Sequence, residues 1–155
     1  RLSDSGIGAP DVVLIHGGTN DWNRNRNGVQ VVNNTSGFSY TQFVTDEALN
    51  KLFNADLDEL DTKCYLDSYV KLVRMIHAEN PQAKIVCVIG DRPDLAMVDG
   101  VKRIADHYYF CRYSDFRTRG YNTLPKFSGS HPTAAGHAIM ASEIYSNHGN
   151  WLENK

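Results

Sequence analysis

Two short stretches of this chain carry side chains that could do chemistry together. Gly17-Gly18-Thr19-Asn20-Asp21 sets two glycines ahead of an asparagine, and Ser128-Gly129-Ser130-His131-Pro132 sets a histidine immediately before a proline. Glycines allow a sharp turn, and an asparagine amide beyond them can donate a hydrogen bond to the oxyanion formed when a carbonyl is attacked. Losing one such donor costs on the order of 100- to 1,000-fold in rate. A histidine whose backbone is held by the following proline can project its ring as a general base. Each stretch also has a plainer reading. The first is a turn in which Asn20 caps a helix, and in the second His131 does the capping. Of the other histidines, His77 and His137 lie within expected helices, His107 ends one and His148 follows the last, all as surface or packing residues. His16 closes a strand and is expected to pack beneath the site.

The elements that must position these residues are legible from apolar periodicity. Residues 11–16, Asp-Val-Val-Leu-Ile-His, form a continuous apolar run ending at Gly17, the pattern of a parallel strand buried on both faces. From residue 62 to 79, Leu66, Tyr69, Val70, Val73 and Ile76 fall at helical spacing, and Asn80-Pro81 ends that helix before a second buried strand over residues 84–89. Residues 95–106 read as a further helix and 108–113 as a third strand. A last helix opens at Pro132, a favoured first helical position, and runs through Tyr145. Alternating strands and helices imply an α/β fold with a parallel sheet, whose ligand crevice lies beyond the carboxyl ends of the strands. Both chemical stretches fall there.

Composition narrows the classes. A chain of 155 residues, 41% hydrophobic and 22% charged, suits one domain with one ordinary core. A net charge of -2 and scattered Lys and Arg argue against nucleic acid. No apolar stretch approaches the roughly 20 residues of a membrane span. Cys64, Cys87 and Cys111 form no C-x-x-C pair and are expected as small core residues. Residues 21–37, rich in asparagine, have neither period and read as a long polar loop, either ligand-binding or a solvated excursion. Asn33-Asn34-Thr35-Ser36 also fits a glycosylation sequon twice. The compartment stays open, with a secreted or periplasmic setting preferred.

Together the two stretches are specific. Pro10-Asp11-Val12-Val13-Leu14-Ile15-His16-Gly17-Gly18-Thr19-Asn20-Asp21 resembles the third conserved block of the SGNH (GDSL-type) ester hydrolases, and the stretch from Ser128 to His137 resembles the fifth, at a similar separation. The resemblance covers residues 10–145. It implies a three-layer α/β/α sandwich of flavodoxin-like type and hydrolysis of a carboxylic ester through a serine acyl-enzyme. Asn20 would be a side-chain oxyanion donor and His131 the base, while Gly18, Asp21 and Trp22 beside Asn20 are candidate substrate contacts. No metal or organic cofactor is implied, and the partner is a small-molecule ester.

The departures bear equally on function. The family's nucleophilic serine sits in a Gly-Asp-Ser turn after the first strand of the sheet, and that block is not found. Ser3-Asp4-Ser5-Gly6 lies too close to the next matched strand, and Gly90-Asp91-Arg92 has arginine where serine is required. The expectation is that the N-terminal strands and the serine come from sequence outside these residues, an N-terminal segment or a second chain completing the sheet. The triad acid, three residues before the histidine in the family, is here Ser128. A backbone carbonyl could hold the imidazole instead, Asp115 could reach in, or the site could be degenerate. A non-catalytic ligand-binding relative is therefore the alternative to the esterase, and a nucleotide-binding flavodoxin-like module, lacking a Gly-rich phosphate loop, ranks below both.

Overall fold

A computed structural model describes residues 8–18, 31–32, 43–90, 95–117, 123–128 and 131–154, with the backbone alone for Phe127 and Ser128. Its centre is a parallel sheet of β1 (Val12–His16), β2 (Lys84–Ile89) and β3 (Cys111–Asp115), in the order β1-β2-β3. Val12 pairs with Lys84 and His16 with Val88, while Ile85 pairs with Cys111 and Ile89 with Asp115. The helices α1 (Asp46–Asn54), α2 (Tyr65–Glu79) and α3 (Leu95–His107) cover one face, and α4 (Ala134–Glu153) covers the other. A short antiparallel pair, β4 (Lys126–Ser128) and β5 (His131–Pro132), precedes α4.

Side-chain alternation builds the layers. Ile85, Cys87 and Ile89 face α2 and α3 in a core with Leu66, Val70, Val73, Met97, Val101 and Ile104. Val86 and Val88 face the opposite way, onto Phe116 and onto Met140 and Ile144 of α4. The expected α/β/α sandwich is thus formed with β2, apolar on both faces, at its centre. Direction follows from Lys84 at the amino end of β2, whose Nζ donates to the carbonyls of Trp151 at 2.5 Å and Leu152 at 3.0 Å. That bond pins the carboxyl end of α4 to the amino end of the sheet. The amino end of α4 therefore projects toward the strands' carboxyl ends, since a 20-residue helix is about 30 Å long.

Several expectations change. The 11–16 run is not buried on both faces: Val13 and Ile15 pack toward α2, but Val12 is 37% and Leu14 52% exposed. The reason is that α4 lies over Val86 and Val88 of β2, and among the described residues β1 pairs with β2 alone. The third strand begins at Cys111 and not at residue 108, because Tyr108 to Phe110 make a turn closed by Cys111 N–H donating to the Tyr108 carbonyl at 2.8 Å. Their rings join an aromatic cluster in which Phe110 stacks on His77 at 3.7 Å. The last helix starts at Ala134, two residues after Pro132, with Thr133 as its cap: Thr133 Oγ1 accepts from Gly136 N–H at 3.2 Å. It also runs on to Glu153, so His148 lies inside it. Helix α1 was not anticipated, although Thr45 capping Ala48 N–H ahead of Asp46 and Glu47 is an ordinary N-terminal signal.

Candidate active site

The carboxyl ends of β1, β2 and β3 define the crevice, and Gly17 and Gly18 follow β1 directly into it. Gly18 has φ +104°, a conformation that side chains other than glycine rarely adopt, and a Cβ there would lie 2.8 Å from the Tyr65 hydroxyl at the start of α2. Glycine is required twice over, by backbone angle and by the approach of Tyr65. A cavity of about 540 Å³ adjoins this turn, bounded by Ile15, Gly18, Tyr65, Tyr69 and Leu72. It lies on the α2 side of β1, so it meets the crevice at the glycines.

His131 comes from the other side. It is exposed, it belongs to β5, and it stands three residues ahead of the first residue of α4. The helix cap belongs to Thr133, so the capping role considered for His131 is taken. Ser128 is its direct cross-strand partner, at a register irregularity in the β4–β5 pair. Asn20, Asp21 and Trp22, like the other residues of the polar loop up to residue 30, lie outside the described residues, as does the sequon over residues 33–36.

Asp115, the other acid considered for the histidine, is engaged elsewhere. It is 7% exposed and faces α3, with Lys102 Nζ at 2.7 Å and Arg117 at 3.0 Å. Burial pushes its carboxyl up, yet the bonds from Arg117 and Lys102 outweigh burial and hold it below the ordinary aspartate range. The remaining histidines sort as packing or surface groups. His77 stacks on Phe110 and His107 on Phe53, each at 3.7 Å, and His137 is exposed one turn into α4. His148 Nε2 lies 3.0 Å from the Tyr113 carbonyl and 3.1 Å from Ser114 Oγ. A carbonyl can only accept, so Nε2 carries the proton in that contact. The cysteines are free and buried as expected, and burial followed by Asp67 and Asp61 pushes the Cys64 thiol up to about 12, leaving it no thiolate for nucleophilic attack at neutral pH.

Residues 1–139 match the model of the GDSL-like lipase/acylhydrolase family. The chain belongs to that family. Membership accords with the parallel α/β sheet, and it makes hydrolysis of an ester the general activity of the group. No curated protein and no solved structure gives a significant match.

Sequence reasoning underrated two residues beside this crevice. Tyr65 backs Gly18, and no local signal announced it, because the contact joins residues 47 apart in sequence (65 - 18). His16, expected beneath the site, is instead exposed at the very end of β1. Its signal was positional: it is the last residue of a parallel strand, next to the crevice.

Proposed function

We propose that this protein is a carboxylic ester hydrolase that works through a serine acyl-enzyme, with His131 as the base and Asn20 as the oxyanion donor. The serine hydroxyl adds to the ester carbonyl and gives its proton to His131. The tetrahedral oxyanion rests on the Asn20 amide and collapses to an acyl-serine, and His131 returns the proton to the departing alcohol. Water then repeats the sequence in reverse and frees the acid. The observation that carries this reading is an exposed His131 ahead of the amino end of α4, at the same end of the sheet as the Gly17-Gly18 turn. The serine is proposed to come from sequence outside residues 1–155, entering beside β1, for which β2 is the only described neighbour in the sheet. Acetyl esters of carbohydrates are the proposed substrate class, in keeping with the polar composition of residues 21–37.

One observation favours a non-catalytic binder. Ser128, the cross-strand partner of His131, stands where a carboxylate would stabilise the imidazolium. Turnover of 4-nitrophenyl acetate separates the readings. Residues 1–155 alone should show negligible hydrolysis, whereas protein that includes a Gly-Asp-Ser element upstream should hydrolyse it and be labelled at that serine by a fluorophosphonate. Enzymatic turnover by the 155-residue chain, abolished by His131→Ala, would refute the external serine and direct mutagenesis to Ser5, Ser128 and Ser130. An upstream Gly-Asp-Ser form that neither reacts nor labels would establish the binder.

A further inference from the structure

The cavity of about 540 Å³ beside the glycine turn has a definite depth and lining. β1 leads up to Gly18 and α2 leads down from Tyr65, whose hydroxyl approaches Gly18, so the cavity runs between strand and helix with the glycine turn at its mouth. Leu72 lies seven residues beyond Tyr65, about 10 Å along the helix. Ile15 lies three residues before Gly18, again about 10 Å of extended chain. Both walls give the same depth and end on an aliphatic side chain. Buried Tyr69 adds an aromatic wall. The polar side chains nearby are already engaged: the Ser68 hydroxyl donates to the Thr62 carbonyl at 3.1 Å, and Cys64 Sγ donates to an Asp61 carboxylate oxygen at 3.7 Å.

We propose that this cavity holds the acyl chain of the ester, and that Ile15 and Leu72 at its far end set the longest chain admitted. The proposal rests on the ester-hydrolase reading and extends its acyl half from acetyl to straight chains of about hexanoyl length, leaving the carbohydrate alcohol as it stands. Asn20, the proposed oxyanion donor, follows Gly18 by two residues in sequence, so the reacting carbonyl belongs at the mouth and the chain points inward. A hexanoyl chain, with carbon–carbon bonds of about 1.5 Å, fits within the depth. The alcohol half does not suit this space, because a sugar hydroxyl set against Ile15 and Leu72 would leave water without gaining a partner. An alkyl chain has no such loss, and each methylene buried strengthens binding about fourfold. The open flank of the cavity is the free edge of β1, so the serine-bearing segment proposed to enter there would close the pocket and set its serine at the mouth.

Sodium hexanoate, sodium acetate and methyl β-D-xylopyranoside are the probes, each titrated into the 155-residue chain with its Ile and Leu methyl groups isotope-labelled. Hexanoate should shift the Ile15 and Leu72 methyls and bind at least about tenfold more tightly than acetate, and the xyloside should move neither. Leu72→Trp, at a position 44% exposed, should fill the far end and weaken hexanoate about tenfold or more. In protein that includes an upstream Gly-Asp-Ser element, the ratio of kcat/KM for 4-nitrophenyl hexanoate to that for the acetate should fall by a similar factor in Leu72→Trp. Leu72→Ala should move the optimum to longer chains, and it carries the test if Leu72→Trp does not fold. A substitution that only loosened the fold would lower both esters together. Ile15 and Leu72 methyls unmoved by hexanoate, or moved by the xyloside, would overturn the acyl pocket. So would a chain-length ratio indifferent to both substitutions, and turnover of the two esters would then leave the hydrolase reading standing. Hexanoate binding that Leu72→Trp blocks, without turnover of either ester, would remove the hydrolase reading and keep the alkyl-chain pocket.

Discussion

Ser128 and His131 are register partners in the β4–β5 pair, so the residue three before the histidine in sequence is also its backbone neighbour in space. A carboxylate introduced there would sit on the strand residue paired with the histidine. In a protein that turns over ester we expect Ser128→Asp to raise kcat at least tenfold, because loss of the corresponding charge in a serine protease costs about 10,000-fold. The pH-rate profile should shift at the same time, as a carboxylate neighbour favours the protonated ring. Unchanged or lowered kcat with the fold intact would mean that another group already holds His131. His131→Ala should remove activity in either background, by roughly 1,000-fold or more.

Gly18 and Tyr65 form a steric couple at the end of β1. Gly18→Ala must place a methyl 2.8 Å from the Tyr65 hydroxyl at φ +104°, and we expect a loss of roughly 1–3 kcal/mol from strain and overpacking combined. Tyr65→Phe in the same chain should restore part of that loss by removing the hydroxyl, leaving the backbone cost. Chemical denaturation of the two single variants and the double variant measures the coupling. Strict additivity would show that the contact is not what constrains Gly18.

The Asp115 cluster makes stability depend on acid in a definite direction. Its folded carboxyl lies below the unfolded value, so its contribution is fully present above about pH 4 and is lost as pH falls through the lower folded pKa. Asp115→Asn should lower the unfolding free energy at pH 7 by roughly 1–3 kcal/mol, because hydrogen bonds to Lys102 and Arg117 are charge-assisted. The difference between variant and parent should shrink below pH 4. A constant difference from pH 7 to pH 2.5 would refute the ion-pair origin.

β1 carries exposed Val12 and Leu14 and pairs on one side among the described residues, a combination that invites edge pairing. In the 155-residue chain Leu14→Lys should reduce self-association in sedimentation velocity without altering the circular dichroism. If the parent is monomeric at high concentration, pairing through this edge by a second copy is excluded, and an N-terminal segment becomes the remaining way to cover it.

Local pattern was enough to announce the α/β class, the exact span of β2, and most of α2 and α3. These depend on period, on turn residues and on chain order, all of which act between residues close in sequence. The residue types of Gly17-Gly18 and of His131-Pro132 likewise declared a turn and a presented imidazole before any packing was known. What local pattern could not convey was which apolar face is covered. The 11–16 run is as apolar as β2, yet Leu14 is half exposed and Val86 beside it is buried, because α4 lies over one strand and not the other. The same long-range packing placed Asp115 on the α3 side with Lys102 and Arg117, drew His148 into α4 against Tyr113, set Tyr65 behind Gly18, and laid His16 across Gly90. Each of these contacts joins strands or helices far apart in the chain, and its energy exists only once the layers have closed.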